Sequence, residues 1–405
     1  MDEAIRILRD RARLHPPDRY PVQHATARFH LGVTLLHGGH ATAAAQELES
    51  AAGLFRSSGM HVEHAKATLM LGVALREDGS LGPAEDAFRT AASAFAVHGQ
   101  PSEHAAALQN LGMVARDRAD LVQAEGHFAE AVEAFDALGE LAARTSADRE
   151  LGATRLSLGR PEDAMAPLRR AMEEAGGRGD PVAWGAAANA LGLAHLACGD
   201  LVAAEDAFRG AVSANPRSVR PEGYAMAKAN LALLYEEAGS PARAGLAAHQ
   251  ARGVPVAPAA VVVQAAGVLR RLGEHSGLVA VLDEEPEIGW PSVLRDELAR
   301  WADADELERL SAARAWIDGV LLRRERAAKL LFAWLDAVLE LPPTAMDRVL
   351  AVTVRAWAEH DKAQRDDFRS LTSRVLPRFH IPQWQRLHAT FERLATAAGE
   401  PVTWR

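Results

Sequence analysis

Residues 101–140 read PSEHAAALQNLGMVARDRADLVQAEGHFAEAVEAFDALGE, and this stretch decides the fold. Its Leu111-Gly112 pair and its Ala124 recur along the chain at a 40-residue step. The leucines in this phase are Leu31, Leu71, Leu111, Leu151, Leu191 and Leu231. Such a fixed period is typical of repeat arrays, in which each unit buries its apolar face against its neighbours. The sequence therefore predicts an all-α chain that contains six related units.

Each unit is predicted to be a hairpin of two helices, because small and large apolar residues alternate in a fixed order. Glycine or alanine follows each leucine, and a small residue lets two helix backbones approach closely. The second helix is expected to bury a small residue at Ala44, Ala84, Ala124, Ala164, Ala204 and Ala244. A phenylalanine or leucine four residues later, such as Phe128, is expected to fill the space between hairpins.

Turn and capping residues follow the same phase. The turn between the two helices is predicted at Gly39, Gly79, Gly159, Gly199 and Gly239. The next residue is a predicted N-cap in four units, Ser80, Asp120, Asp200 and Ser240. The first helices are predicted to open at Pro21, Pro101, Pro181 and Pro221, where the missing N–H costs nothing.

The Leu-Gly…Ala…Phe…Ala spacing resembles the tetratricopeptide repeat (TPR) superfamily, in its type with 40-residue units. The resemblance implies a right-handed superhelical solenoid of about six to seven helical hairpins over residues 1–286. Residues 2–14 align as a lone second helix. Residues 257–285, which include an in-phase Gly273, align as a seventh, degenerate unit.

Residues 287–405 lose the period and form a predicted Trp-rich C-terminal helical domain. Seven of the eight tryptophans lie there, and Trp at helical spacing indicates a packed core. The predicted helices are 291–301, 304–317, 319–340, 345–361, 363–376 and 382–397. This bundle is interpreted as a cap on the open end of the array, and the alternative is a separate partner-binding module. The basic run from Arg323 to Lys329 is interpreted as a solvated helix face.

Composition limits the kinds of partner and compartment. The 405 residues carry a formal net charge of −9, which argues against nucleic acid and anionic membranes as partners. The longest apolar stretch, 253–269, is interrupted by proline and is too short to span a bilayer. The N-terminus shows no signal peptide, and Cys198 is the only cysteine. These features predict a cytoplasmic protein without disulfides.

The sequence contains none of the common nucleotide, hydrolase or zinc motifs, so we expect no enzyme activity, cofactor or metal. His24, His64 and His104 share one phase, but helix packing holds equivalent positions about 8–10 Å apart. One metal ion therefore cannot bind all three, and we interpret them as polar residues that edge the first-helix layer. His61 and His64 are the remaining two-ligand possibility. Cys198 is interpreted as a small buried apolar residue.

The TPR resemblance also implies which residues line a binding groove. The lining positions of the first helices carry apolar residues early in the array, Phe29 and Met70 among them. Amides and arginines follow at Gln109, Asn110, Arg116, Arg149, Asn189 and Asn230. Carboxamides can satisfy the N–H and C=O groups of an extended peptide, and arginine binds carboxylates through two hydrogen bonds. The alternative is that these are ordinary exposed polar residues.

These observations lead to a functional hypothesis with two alternatives. The chain is predicted to be a non-catalytic adaptor or scaffold that binds a partner peptide or helix in the groove. The two arginines favour a ligand that is acidic or ends in a free carboxylate. The alternatives are a ligand- or peptide-responsive bacterial regulator, and an enzyme with its site between solenoid and C-terminal bundle.

Overall fold

A computed structural model describes residues 2–272, 277–397 and Gly399, and in these ranges the regular structure is helical, without strands. The chain divides into two compact units, residues 1–200 and 201–405. The helices of the first unit are α1 (Asp2–Leu14), α2 (Pro21–His37), α3 (Ala41–Ser57), α4 (His61–Glu77), α5 (Leu81–Val97), α6 (Pro101–Asp117), α7 (Leu121–Leu138), α8 (Leu141–Ser157), α9 (Pro161–Gly177) and α10 (Pro181–Ala197).

In the first unit, consecutive helices pack against each other as hairpins, and α1 packs on α2 as the predicted lone second helix. The predicted small residues of the second helices, Ala44, Ala84, Ala124 and Ala164, are completely buried. A side chain at Gly112 would place its Cβ 2.8 Å from the ring of Phe128. Glycine is therefore required at this position because the ring of the second helix lies directly on the backbone of the first.

The turn between the two helices of a hairpin requires a left-handed backbone. Gly39, Gly79 and Gly159 all have positive φ angles between 71° and 84°, as predicted. The third hairpin has Ala119 at this place, with φ of 61°, and it is the only non-glycine residue with positive φ in the described ranges. Its Cβ makes this conformation unfavourable by about 1 kcal/mol relative to glycine.

We therefore expect Ala119→Gly to raise the free energy of unfolding by about 0.5–1 kcal/mol. Chemical denaturation monitored by circular dichroism measures this difference. The control is Ala315→Gly, at an exposed position inside a helix of the second unit, where glycine should instead lower stability by about 1 kcal/mol. Destabilisation by Ala119→Gly would contradict the assigned turn.

The helix starts agree only in part with the predicted capping. Pro21, Pro101 and Pro181 occupy the first turn of their helices, as predicted. Asp120 caps α7 by accepting a hydrogen bond from the Gln123 N–H. The prediction was wrong for Ser80, whose side chain makes no cap hydrogen bond and lies 3.4 Å from an oxygen of Asp78. Ser240, in the second unit, likewise makes no cap hydrogen bond.

The second unit contains the last hairpins and the C-terminal helices. Its α-helices are α11 (Leu201–Ala214), α12 (Pro221–Glu237), α13 (Pro241–Arg252), α14 (Ala259–Leu272), α15 (Leu278–Glu284), α16 (Trp290–Asp303), α17 (Glu306–Leu322), α18 (Ala327–Leu339), α19 (Pro343–Glu359), α20 (Lys362–Val375) and α21 (Ile381–Ala397). Helices α14 and α15 occupy the place of the predicted seventh hairpin, but Gly273 lies outside the described residues. Proline opens α12 at Pro221, as predicted.

A large apolar core joins the helices from α15 to α21. Five tryptophans are buried in the second unit, Trp290, Trp301, Trp316, Trp334 and Trp357, which confirms the interpretation of these residues as core. Trp384 packs on the edge of this core, and Trp404 lies outside the described residues. The domain boundary at 286/287 remains a prediction.

The predicted helix 319–340 was wrong, because the chain turns at residues 323–326 between α17 and α18. Arg323 and Arg326 both reach Asp283, at 2.7 and 2.9 Å, and these ion pairs draw the turn towards the preceding part of the unit. Arg326 also lies over the ring of Trp290, and Lys329 pairs with Glu287. The basic run is thus not a solvated helix face.

Candidate functional site

The first helices of the hairpins form a continuous layer in the first unit. Helix α2 contacts α4, α4 contacts α6, α6 contacts α8, and α8 contacts α10. Seven of the predicted lining residues lie on this layer, and Asn230 lies on α12 of the second unit. The layer therefore brings lining positions from successive repeats next to one another, as the repeat phase requires.

The centre of the layer is a shared ion pair between α6 and α8. Glu150, only 4% exposed, accepts a hydrogen bond from Arg116 through Oε2. Its Oε1 accepts from Nη2 of Arg149 at 2.5 Å. The Arg116 guanidinium also lies over the ring of Phe128, with its Cζ 5.9 Å from the centroid. The side chains of Arg116 and Arg149 remain 31% and 37% exposed, so both are held by Glu150 and are still accessible to solvent.

The amides of the layer are used in different ways. Gln109 on α6 donates to the hydroxyl of Ser146 on α8, at 3.0 Å. Asn110 donates to the carbonyl of Ala106 on its own helix, at 2.8 Å. Asn189 on α10 is only 9% exposed. In the second unit, Asn230 is 5% exposed and accepts from Gln264 at 3.0 Å.

The early part of the layer is apolar. Phe29 on α2 and Met70 on α4 are half-buried and pack on the core between their hairpins. Val33 and Val73 extend the same core. This part of the layer offers apolar contact area, whereas the centre of the layer presents the guanidinium groups of Arg116 and Arg149.

Sequence reasoning did not identify Glu150 as the residue that joins the two arginines. Its only signal is the spacing of 34 residues from Arg116, six residues short of one 40-residue repeat. Arg76 and Asp117, at 3.6 Å, are a second ion pair with nearly one-repeat spacing. Side chains in successive first helices therefore bind each other as well as facing outward, and spacing by about one repeat is a usable signal for such pairs.

The three histidines that recur at the 40-residue step have a structural role. The Nδ1 atoms of His24, His64 and His104 lie 2.9–3.0 Å from the carbonyl oxygens of Ala12, Ala52 and Ala92. Each bond spans 12 residues and ties a first helix to the end of the preceding second helix. This arrangement confirms their interpretation as polar residues at the edge of the layer.

His61 and His64, the remaining two-ligand possibility for a metal ion, have separate contacts, and His64 Nδ1 faces the carbonyl of Ala52 at 3.0 Å. His61 stacks on His98, with ring centroids 5.2 Å apart. In the described ranges, no group of three or more His, Cys, Asp or Glu side chains is arranged to hold a metal ion.

Cys198 follows α10 and is exposed, so its interpretation as a buried residue was wrong. The helix ends one residue earlier, and the thiol therefore lies in the turn and not on the packed face. Desolvation, together with the carboxylates of Glu162 and Asp200, raises the pKa of the Cys198 thiol. A raised pKa disfavours the thiolate, which is the nucleophilic form.

None of the helices in the described ranges is both long and apolar enough to cross a bilayer.

Comparisons with known proteins give similarity to solved structures only. No protein-family model matches the chain, and no curated protein sequence matches it. BtubC (BKLC) from P. vanneervenii is 22% identical, with a TM-score of 0.46, over 53% of this chain and 88% of BtubC. A putative kinesin light chain from Podosopora anserina with nearly identical TPR-like repeats is 14% identical, with a TM-score of 0.43, over 49% and 97%.

A third similar structure is the Rap conjugation gene regulator of the plasmid pLS20, in complex with the Phr* peptide. It is 17% identical, with a TM-score of 0.43, over 66% of this chain and 68% of the regulator. The assignment of the fold rests on the chain itself, through the 40-residue phase of its leucines and small residues and the packed helical hairpins in both units. The protein has the tetratricopeptide-repeat fold, with all-α hairpins of 40-residue period.

Proposed function

We propose that the protein is a non-catalytic adaptor or scaffold that binds a peptide segment or helix of a partner protein. The binding surface is the first-helix layer of residues 1–200. The observation that carries the proposal is the pair of partly exposed arginine side chains, Arg116 and Arg149, that both bind the buried carboxylate of Glu150. A charged side chain that is already held in place by an ion pair loses little conformational entropy when it binds a ligand.

The side chains of the layer indicate which chemical groups the ligand should carry. One carboxylate between two arginines leaves a local charge of +1, and each guanidinium has five N–H donors, more than Glu150 can accept. A ligand carboxylate can therefore add to this site without displacing Glu150. Phe29 and Met70, earlier in the layer, offer apolar contact. The expected ligand is a peptide with an acidic group, or a free C-terminal carboxylate, together with apolar side chains.

The test begins with the partner captured from the native host and identified by mass spectrometry. We expect Arg149→Ala to weaken its binding about tenfold or more, since a charge-assisted contact contributes about 1–3 kcal/mol. Arg169→Ala is the matched control, because Arg169 is an exposed arginine on the second helix α9. It should leave the dissociation constant unchanged in calorimetric titration.

Both arginines should be removed only in a variant that also lacks the negative charge of Glu150. Arg116→Ala/Arg149→Ala alone would leave a buried carboxylate without its partners, and this would destabilise the fold. The comparison is therefore between Glu150→Gln and the triple variant Arg116→Ala/Glu150→Gln/Arg149→Ala. If the partner binds both with equal affinity, the assigned layer is wrong.

A further inference from the structure

The second unit contains a cavity of about 470 Å³ that is lined by residues of α13, α15, α16 and α17. We call it the α17 cavity. Helix α17 contributes Glu308, Ser311, Ala312 and Ala315, which are spaced by three or four residues and therefore share one face of the helix. Because three of these four side chains are small, room remains between α17 and the other lining helices.

The α17 cavity is open to solvent along α17. Ser311 and Ala315 are exposed, and the side chain of Glu308 is 35% exposed. Other parts of the wall are buried, among them Trp301 and Leu246. Small-molecule sites typically have volumes of about 300–1,000 Å³ and combine buried apolar walls with a few polar groups. The cavity therefore has the size and the accessibility of a small-molecule site.

The charges on the wall favour a cation. Glu297 and Arg300 are 3% and 5% exposed and form a buried ion pair. Arg300 also donates to Oε1 of Glu308 through Nη1, so one guanidinium serves two carboxylates. Burial and the charge of Arg300 lower the pKa of His249, and its imidazole is therefore neutral at pH 7. Among the described residues, two carboxylates thus face one cation on this wall, and the excess negative charge attracts a cation most strongly where water is partly excluded.

Three polar side chains of the wall have hydrogen-bonding atoms to spare. Oε2 of Glu308 has no hydrogen-bond partner among the described residues, since Arg300 uses only Oε1. The hydroxyl of Ser311 and the ring nitrogens of His249 are also without hydrogen-bond partners in the described part of the chain. Glu297, by contrast, accepts from Arg300 through both of its oxygens. Glu308 is therefore the carboxylate that is available to a ligand.

We propose that the α17 cavity binds a small organic amine. The ammonium group has three N–H donors, and it donates to Oε2 of Glu308 and to the free acceptors of Ser311 or His249. The apolar part of the ligand packs on the buried side chains of Leu246 and Leu278. A carboxylate ligand is disfavoured, because Arg300 is already shared by two carboxylates. This site is independent of the first-helix layer proposed for residues 1–200.

The experiment titrates the full chain with hexylamine, cyclohexylamine and 2-phenylethylamine, and with the alcohol that corresponds to each amine. Saturation-transfer NMR of the ligands gives the dissociation constants. We expect at least one amine to bind the wild type about tenfold or more tightly than its alcohol, because only the amine carries the charge that Glu308 binds. Glu308→Gln should weaken the binding of that amine about tenfold.

Two further variants separate this site from a general attraction of amines to an acidic protein. Glu306→Gln removes an exposed acid of the same helix that does not line the cavity, and it should bind the amine like the wild type. Ala315→Trp places a large side chain at the exposed side of the cavity without changing its charge, and it should prevent amine binding. Circular dichroism checks that each variant is folded. Equal affinities for every amine and its alcohol, or an amine affinity that either Glu308→Gln or Ala315→Trp leaves unchanged, would overturn the proposal.

Discussion

Phe128→Ala is expected to lower the free energy of unfolding by about 3–5 kcal/mol, the typical cost of truncating a buried aromatic side chain. Phe128 is completely buried, and its ring lies on the backbone of α6 at Gly112. The substitution therefore removes apolar burial and also opens a cavity between the two helices of the third hairpin. Urea denaturation of the full chain, followed by circular dichroism, measures the loss.

The partner substitution Gly112→Ala tests the same contact from the other side. In the wild type it should cost about 1–3 kcal/mol, since the new Cβ would lie 2.8 Å from the Phe128 ring. In the Phe128→Ala background the space is free, and alanine should stabilise α6 by up to about 1 kcal/mol relative to glycine. Strict additivity of the two substitutions would show that the ring and the glycine do not interact, and would contradict the assigned packing.

Arg300→Met is expected to lower stability by about 3–5 kcal/mol, because it leaves the carboxylate of Glu297 buried without its cation. Glu297 is 3% exposed and accepts from Arg300 Nη2 at 2.5 Å and from Nε at 3.0 Å. Trp301 Nε1 donates to the same carboxylate at 2.8 Å. The double variant Glu297→Gln/Arg300→Met should recover a large part of the loss.

The matched control for Arg300 is Arg355→Met. Arg355 pairs with Glu306, but the two side chains are 52% and 72% exposed, so the loss should stay below about 1 kcal/mol. Equal losses for the two arginine variants would show that the charge on Glu297 is not desolvated as described.

The carboxylate of Glu297 should also make the free energy of unfolding depend on pH. Burial raises the pKa of Glu297, but the charge and hydrogen bonds of Arg300 and the Trp301 N–H outweigh it, so the pKa lies below its ordinary value of 4.5. A lowered pKa in the folded state contributes stability above the unfolded pKa, and this contribution is lost as the pH falls through the folded value. The stability difference between wild type and Glu297→Gln should therefore shrink below about pH 4.5. A difference that is constant from pH 7 to pH 3 would contradict this assignment.

The hairpin architecture could be predicted from sequence because the same physical requirement recurs in each unit. The ring of Phe128 leaves room only for glycine at position 112. Close helix packing requires a small residue at Ala124, and the left-handed turn requires glycine at Gly159. Each of these constraints restricts the residue type strongly, so the pattern remains visible without homologous sequences.

The predictions that failed concern positions at which the local sequence is compatible with more than one conformation. The helix is interrupted at residues 323–326, where Arg323 and Arg326 bind Asp283, which lies 40 and 43 residues earlier in the sequence. Ser80 can cap a helix but its side chain lies near Asp78 instead. The shared role of Glu150 depends on an arginine in the preceding repeat. Such long-range polar partners leave little trace in local periodicity.

The most direct test of the proposed function is site-specific photo-crosslinking of the full chain in the native host. A photoreactive amino acid is placed at Met113, on the first-helix layer in α6, or at Glu133, an exposed position on the second helix α7. We predict that one partner protein is captured from position 113 and not from position 133, and that Arg149→Ala reduces the capture. Capture of the same partner from position 133 and not from position 113 would contradict the assignment of binding to the first-helix layer.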